Sequence, residues 1–190
     1  MKKLVFLHGS GSDKNAYHDL MQTIAHHYNA DLTVFNAPFK HPDKSGKYKW
    51  FNKFEKAGRR DAVIEEYTYS LQYIKDQLTN LHSDTKDIIL IGHSQGGGIA
   101  VHIGLEMELS AVISINGDLP YNIPYNKKTN TPIFWLAGGK DTYIDDNRKK
   151  SYLQIQNNNN FHLLTLENST HNDFETDFLN IINTESIKLK

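Results

Sequence analysis

Ile88-Ile89-Leu90-Ile91-Gly92-His93-Ser94-Gln95-Gly96-Gly97-Gly98 is the stretch on which the reading of this chain turns. The short apolar run suits a strand buried on both faces, and the small residues after it suit a sharp turn into a helix. Gly-x-Ser-x-Gly at such a turn exposes the serine hydroxyl on a strained backbone, and Gly92 and Gly96 leave room for it. Ser94 is therefore a candidate nucleophile. Ordinary Gly and Ser usage supplies the bare pattern by chance, so its weight comes from the strand before it and from partners elsewhere in the chain. The plain alternative is a serine that only caps the following helix.

Strand-like runs recur outward from this point at Lys3 to Leu7, Leu32 to Phe35, Ala111 to Ile115, Ile133 to Ala137 and Phe161 to Leu166. Helical spacing of apolar residues separates them, with Tyr17, Leu20, Met21, Ile24 and Ala25 in one segment and Val63, Tyr67, Leu71, Ile74 and Leu78 in another. A third helix should start at Gln95, a weaker one lies between Asp145 and Gln156, and the last carries Phe174, Phe178, Ile181 and Ile182 on one face. Alternation of this kind predicts an α/β fold, six mostly parallel strands flanked by helices in three layers. Two connections are long, Asn36 to Arg60 and Asn116 to Thr131; each follows a strand's C-terminal end, where such sheets bind ligands. The asparagine run from 157 to 160 reads as a solvated turn.

A serine hydroxyl needs a base within hydrogen-bond reach and a third group to orient that base. Around an elbow of this kind the chain order is serine, acid, histidine. Asp141 follows the fifth strand in Gly138-Gly139-Lys140-Asp141, and His171 follows the sixth in Asn168-Ser169-Thr170-His171. Asp141 is the candidate acid, its plain alternative a turn former; Asp118 is the chief rival, with Asp145 and Asp146 behind it. Of ten histidines, only His171 stands in the loop that must return to the elbow; His8 and His93 read as packing beside it. An acyl-transfer site also needs donors for the oxyanion, and the N–H groups of Gln95 and of Ser10, in His8-Gly9-Ser10-Gly11, are the candidates.

With 21 basic and 22 acidic residues, nothing in the composition points to nucleic acid or to a strongly charged partner. The 190 residues suit one domain spanning 1–190. No stretch approaches the roughly 18 apolar residues of a membrane span, and Met1 to Leu7 reads as a core strand rather than a secretory signal. The absence of cysteine excludes disulfides and thiolate chemistry and suits a cytoplasmic protein.

These elements, in this order, resemble the α/β-hydrolase superfamily along nearly the whole chain, as a minimal member without a large lid. Gly-x-Ser-Gln-Gly-Gly at 92 to 97, with Asn36-Ala37-Pro38 and Trp50-Phe51-Asn52, is similar to the phospholipase/carboxylesterase branch. The chain departs from that branch at His93, where an apolar or aromatic residue is usual, and at Asn52, where an acid commonly follows the Trp-Phe pair. The resemblance implies a serine hydrolase acting on small-molecule esters through an acyl-enzyme, with no metal or organic cofactor. Thioesterase, lysophospholipase and acyltransferase activities share the same residues, and a non-catalytic ligand-binding protein on this fold is the remote alternative. Phe39, Trp50 and Phe51, with Tyr48 and Phe54, are candidates to line the substrate pocket; the alternative is aromatic packing that pins the long loop to the sheet. The insertion from Leu119 to Asn130, with Tyr121 and Tyr125, is too short for a lid.

Overall fold

Each apolar run becomes a strand of one parallel sheet in the computed structural model, which describes all residues except 57–58, 82–83, 126–128, 144–154, 156–159, 185–186 and 188–190. The elements in chain order are β1 (Lys2–Leu7), α1 (His18–His27), β2 (Ala30–Phe35), β3 (Phe39–Lys40), β4 (Tyr48–Lys49), β5 (Lys53–Lys56), β6 (Arg59–Ala62), α2 (Ile64–Thr79), β7 (Ile88–His93), α3 (Gln95–Glu106), β8 (Ala111–Ile115), β9 (Ile133–Gly138), β10 (Phe161–Leu166) and α4 (Glu175–Asn183). The six-stranded sheet runs β10-β9-β8-β7-β1-β2, and every pairing in it is parallel.

Side-chain alternation along the strands builds two cores, one on each face. From β1, Val5 and Leu7 join Ile88 and Leu90 of β7 under α2 and α3, through Tyr67, Ile74, Ile99 and Ile103. Leu4 and Phe6 join Ile89 and Ile91 under α1 and α4, through Met21, Ile24, Phe178 and Ile182. All six residues of β7 are buried, as a strand covered on both faces requires. This is the expected three-layer arrangement, and no segment among the described residues forms a lid. The helix expected between Asp145 and Gln156, the rival acids Asp145 and Asp146 and most of the asparagine run lie outside the described residues.

The long connection from Asn36 to Arg60 holds four short strands that the sequence did not reveal. Phe39 and Lys40 pair with Tyr48 and Lys49, and β5 pairs with β6 in antiparallel register from Lys53↔Ala62 to Lys56↔Arg59. Ladders of two to four residues are too short for a period-2 pattern to register. They are held from outside instead. Asn122 clamps the second hairpin by donating to the Ala62 carbonyl at 2.9 Å and accepting from the Ala62 N–H at 2.8 Å.

Candidate active site

Five consecutive strands deliver the site, because β10, β9, β8, β7 and β1 are neighbours and all point their C-terminal ends the same way. Beyond those ends lie His171, Asp141, Asn116, Ser94 and Ser10 respectively.

Ser94 sits between β7 and α3 with φ 53° and ψ −118°, a conformation an L-residue holds only when its surroundings over-determine it. The surroundings are close-packed backbone. A Cβ on Gly92 would lie 2.2 Å from the Gly96 carbonyl oxygen, and one on Gly96 would lie 2.3 Å from that of Leu7. The Ser94 N–H donates to Ile115 O at 2.9 Å, and Ser94 O accepts from the N–H groups of Gly98 and Asp118.

His171 Nδ1 lies 2.8 Å from Asp141 Oδ2 and its Nε2 lies 3.0 Å from Ser94 Oγ. An ionised carboxylate only accepts, so Nδ1 carries the proton and Nε2 is left to accept from the serine hydroxyl. The Asp141 side chain is fully buried and that of His171 is 16% exposed. Asp141 is held in a turn, accepting from the Tyr143 N–H at 2.8 Å through Oδ1. The Tyr143 ring in turn rests against His171, with centroids 4.7 Å apart. The rival Asp118 is turned elsewhere: buried beside the elbow, it forms an ion pair with Lys53.

Nothing in the sequence singles out Asn116. It is fully buried with φ 49°, a left-handed conformation that asparagine tolerates. Its Nδ2 donates to the Thr170 and His171 carbonyls at 3.0 Å each, and its Oδ1 accepts from the Gly138 N–H at 2.7 Å. One side chain on β8's end thus ties together the loop carrying His171 and the strand leading to Asp141. A polar residue at a strand end reads as turn chemistry in a sequence, so only its neighbours in space identify it.

His93 acts on the same loop. Its Nε2–H donates to the His171 carbonyl at 2.8 Å, while its ring packs against Tyr17, Phe174 and His171. Burial outweighs that hydrogen bond and lowers its pKa to about 4, so the ring is neutral near pH 7. His8 is also buried, with its pKa lowered by desolvation; it accepts from the Ala37 N–H at 3.0 Å and so anchors the start of the long loop.

Gln95, first residue of α3, uses both ends of its side chain on main-chain atoms of that loop. Oε1 accepts from the Trp50 N–H at 3.1 Å and Nε2 donates to the Phe51 carbonyl at 3.0 Å. Its own N–H, in the first helical turn, has no intrahelical acceptor. Ser10 is exposed in the turn after β1. The aromatic residues divide by environment. Trp50 is fully buried, its Nε1–H donating to His8 O at 2.7 Å, and Phe51 is 1% exposed with its ring against Tyr67. Both pack as loop anchors. Phe39 is partly exposed against Tyr69, and Phe54 is exposed. Asn52 holds α2 by donating to Glu66 Oε1 at 2.8 Å. Among the described residues no group of three or more His, Cys, Asp or Glu is arranged to hold a metal ion, and no helix is long and apolar enough to cross a membrane.

A model of the phospholipase/carboxylesterase family matches residues 1–187. No curated protein matches the sequence. Among solved structures, a carboxylesterase from Mesorhizobium loti superposes with a TM-score of 0.77 at 16% identity, over 98% of this chain and 89% of that one. The Bacillus cereus carboxylesterase gives 0.72 at 16% identity, over 97% and 87%. SOBER1 of Arabidopsis thaliana gives 0.75 at 18% identity, over 98% and 99%. At these identities the likeness is one of fold.

Proposed function

The chain belongs to the phospholipase/carboxylesterase family of α/β-hydrolases, and on that premise we propose that it cleaves carboxylic esters of small or medium acyl chains, with Ser94 as nucleophile. The observation that carries this reading is the relay from Ser94 Oγ to His171 Nε2 at 3.0 Å and from His171 Nδ1 to Asp141 at 2.8 Å, on a serine held at φ 53°.

In this mechanism Ser94 Oγ attacks the ester carbonyl while its proton passes to His171 Nε2. The ionised Asp141 stabilises the resulting imidazolium and fixes its orientation. Oxygen of the tetrahedral intermediate takes hydrogen bonds from the N–H groups of Ser10 and Gln95, worth roughly 10² to 10³ in turnover per donor in a serine protease. Collapse expels the alcohol, which takes the proton back from His171, and leaves an acyl group on Ser94. Water, deprotonated by the same histidine, then releases the acid. Phe39 forms part of the substrate wall, while Trp50 and Phe51 anchor the same loop from buried positions.

The test is hydrolysis of p-nitrophenyl esters of increasing acyl length by the wild type and Ser94→Ala, with fluorophosphonate labelling of both. The mutant should lose on the order of 10⁶ in turnover, as subtilisin does on losing its serine, and should resist the label. Comparable turnover by the mutant would remove Ser94 as nucleophile.

A further inference from the structure

The hairpin β5–β6 brings two cations to the rim of the site. Lys53 pairs with Ala62 and Glu55 with Arg60 across its ladder, so Lys53, Glu55 and Arg60 share one face. That face meets Tyr143: the Arg60 guanidinium carbon lies 4.9 Å from the ring centroid and Lys53 Nζ 5.8 Å from it. The same ring lies 4.7 Å from that of His171. Lys53 also forms its ion pair with Asp118, whose N–H donates to Ser94 O at 3.0 Å. Ser94, His171, Tyr143, Lys53 and Asp118 therefore form a closed circuit of contacts, and the cationic side of that circuit stands one ring beyond the catalytic histidine.

Among the described residues the charges on this side do not balance. Asp118, 2% exposed in its side chain, offsets Lys53. Among the described residues Arg60 forms an ion pair with Glu55 alone, at 4.0 Å from Nε and on a side chain 78% exposed, where solvent screens the pair. Its Nη1 is buried and has no hydrogen-bond partner among the described residues. A buried donor on a charged group left unsatisfied is unfavourable, and in a native structure it calls for a reason. The hairpin is also fixed in place, through Asn122 on Ala62 and through the Tyr121 N–H, which donates to Arg60 O at 3.0 Å.

We infer that Arg60 is an anion subsite and that the preferred substrates are esters whose acyl part ends in a carboxylate. This rests on the assignment of Ser94 as nucleophile. A guanidinium that no described residue neutralises in a buried pair supplies one unit of positive charge and a planar fork of donors, which matches a carboxylate better than a doubly charged phosphate. A dicarboxylic half-ester long enough to reach past His171 places its carbonyl at Ser94 and its free acid at Arg60.

The experiment compares mono-p-nitrophenyl adipate with its methyl-capped counterpart, p-nitrophenyl methyl adipate, in the wild type, Arg60→Gln and Arg60→Lys. The wild type should favour the free acid in kcat/KM, and Arg60→Gln should lower that ratio about tenfold or more, the scale of a charge-assisted hydrogen bond. Arg60→Lys should restore part of it. A wild-type ratio at or below one overturns the anion subsite while leaving Ser94 untouched, and it needs no variant to fold. A ratio unchanged within twofold in Arg60→Gln overturns it as well. Failure to turn over either ester, together with failure to take the fluorophosphonate label, overturns the nucleophile assignment and this inference with it. A doubly charged phosphate analogue favoured over the carboxylate would refute the assignment to carboxylate.

Discussion

Replacing Asn116 by glycine removes three hydrogen bonds while leaving the backbone free to keep φ 49°. The His171 carbonyl retains His93 as a donor, but the Thr170 carbonyl and the Gly138 N–H lose the Asn116 side chain. At about 1 to 3 kcal/mol for each buried group left unpaired, the variant should be destabilised by about 3 kcal/mol. That is within the roughly 5 to 15 kcal/mol by which domains exceed their unfolded state, so it should fold. Asn116→Ala should lose about 1 kcal/mol more, since alanine at positive φ is strained. Urea unfolding measures both. On the proposed mechanism the functional effect should fall on kcat, because the loop loses its tie to β8 and His171 shifts relative to Ser94; a misplacement of about 1 Å is worth on the order of 10² in rate. KM should change little. A glycine variant with the expected stability loss but kcat within twofold of wild type would refute the view that Asn116 positions His171.

The two carboxylates that the sequence left in competition should separate by assay. Asp141→Asn should lower kcat by about 10⁴, as the corresponding change does in a serine protease, whereas Asp118→Asn should chiefly lower the urea midpoint, by about 3 kcal/mol in stability, because it leaves Lys53 without its buried partner; a larger loss of kcat at Asp118 would reverse the assignment. His93 makes stability depend on pH in a definite direction. Its folded pKa of about 4 lies below its ordinary 6.5, so the unfolded chain takes up the proton first, and stability present above pH 6.5 is lost as pH falls toward 4. The contribution is about 3 kcal/mol over that window, and His93→Phe should remove that part of the slope in urea unfolding at stepped pH; an unchanged slope would assign it to other groups.

Six strands were legible in the sequence because buried parallel strands are continuous apolar runs, as Ile88 to Ile91 and Ile133 to Ala137 illustrate. Candidates for the nucleophile and base could be named because the serine stands on a recognisable turn and His171 follows the last strand. Chain order favoured Asp141 over Asp118, but both follow a strand end in turn-forming sequence, and the contacts that set them apart, Tyr143 fixing one and Lys53 engaging the other, are spatial. The hairpins at 39–49 and 53–62 and the role of Asn116 were hidden for a common reason. None leaves a periodic trace, since the ladders are two to four residues long and Asn116 binds residues tens of positions away.

Gln95 grips the long loop only through the Trp50 N–H and the Phe51 carbonyl, two atoms that every residue but proline provides. The attachment is therefore largely indifferent to which side chains the loop displays. Segments between 52 and 62 can be exchanged for others of matching span, carrying a different charge pattern to the rim, while the elbow keeps its two-point hold on residues 50 and 51 that lead into them. The glutamine amide thus couples the elbow to the loop's main chain, beside side-chain-specific ties such as Trp50 to His8 O and Lys53 to Asp118.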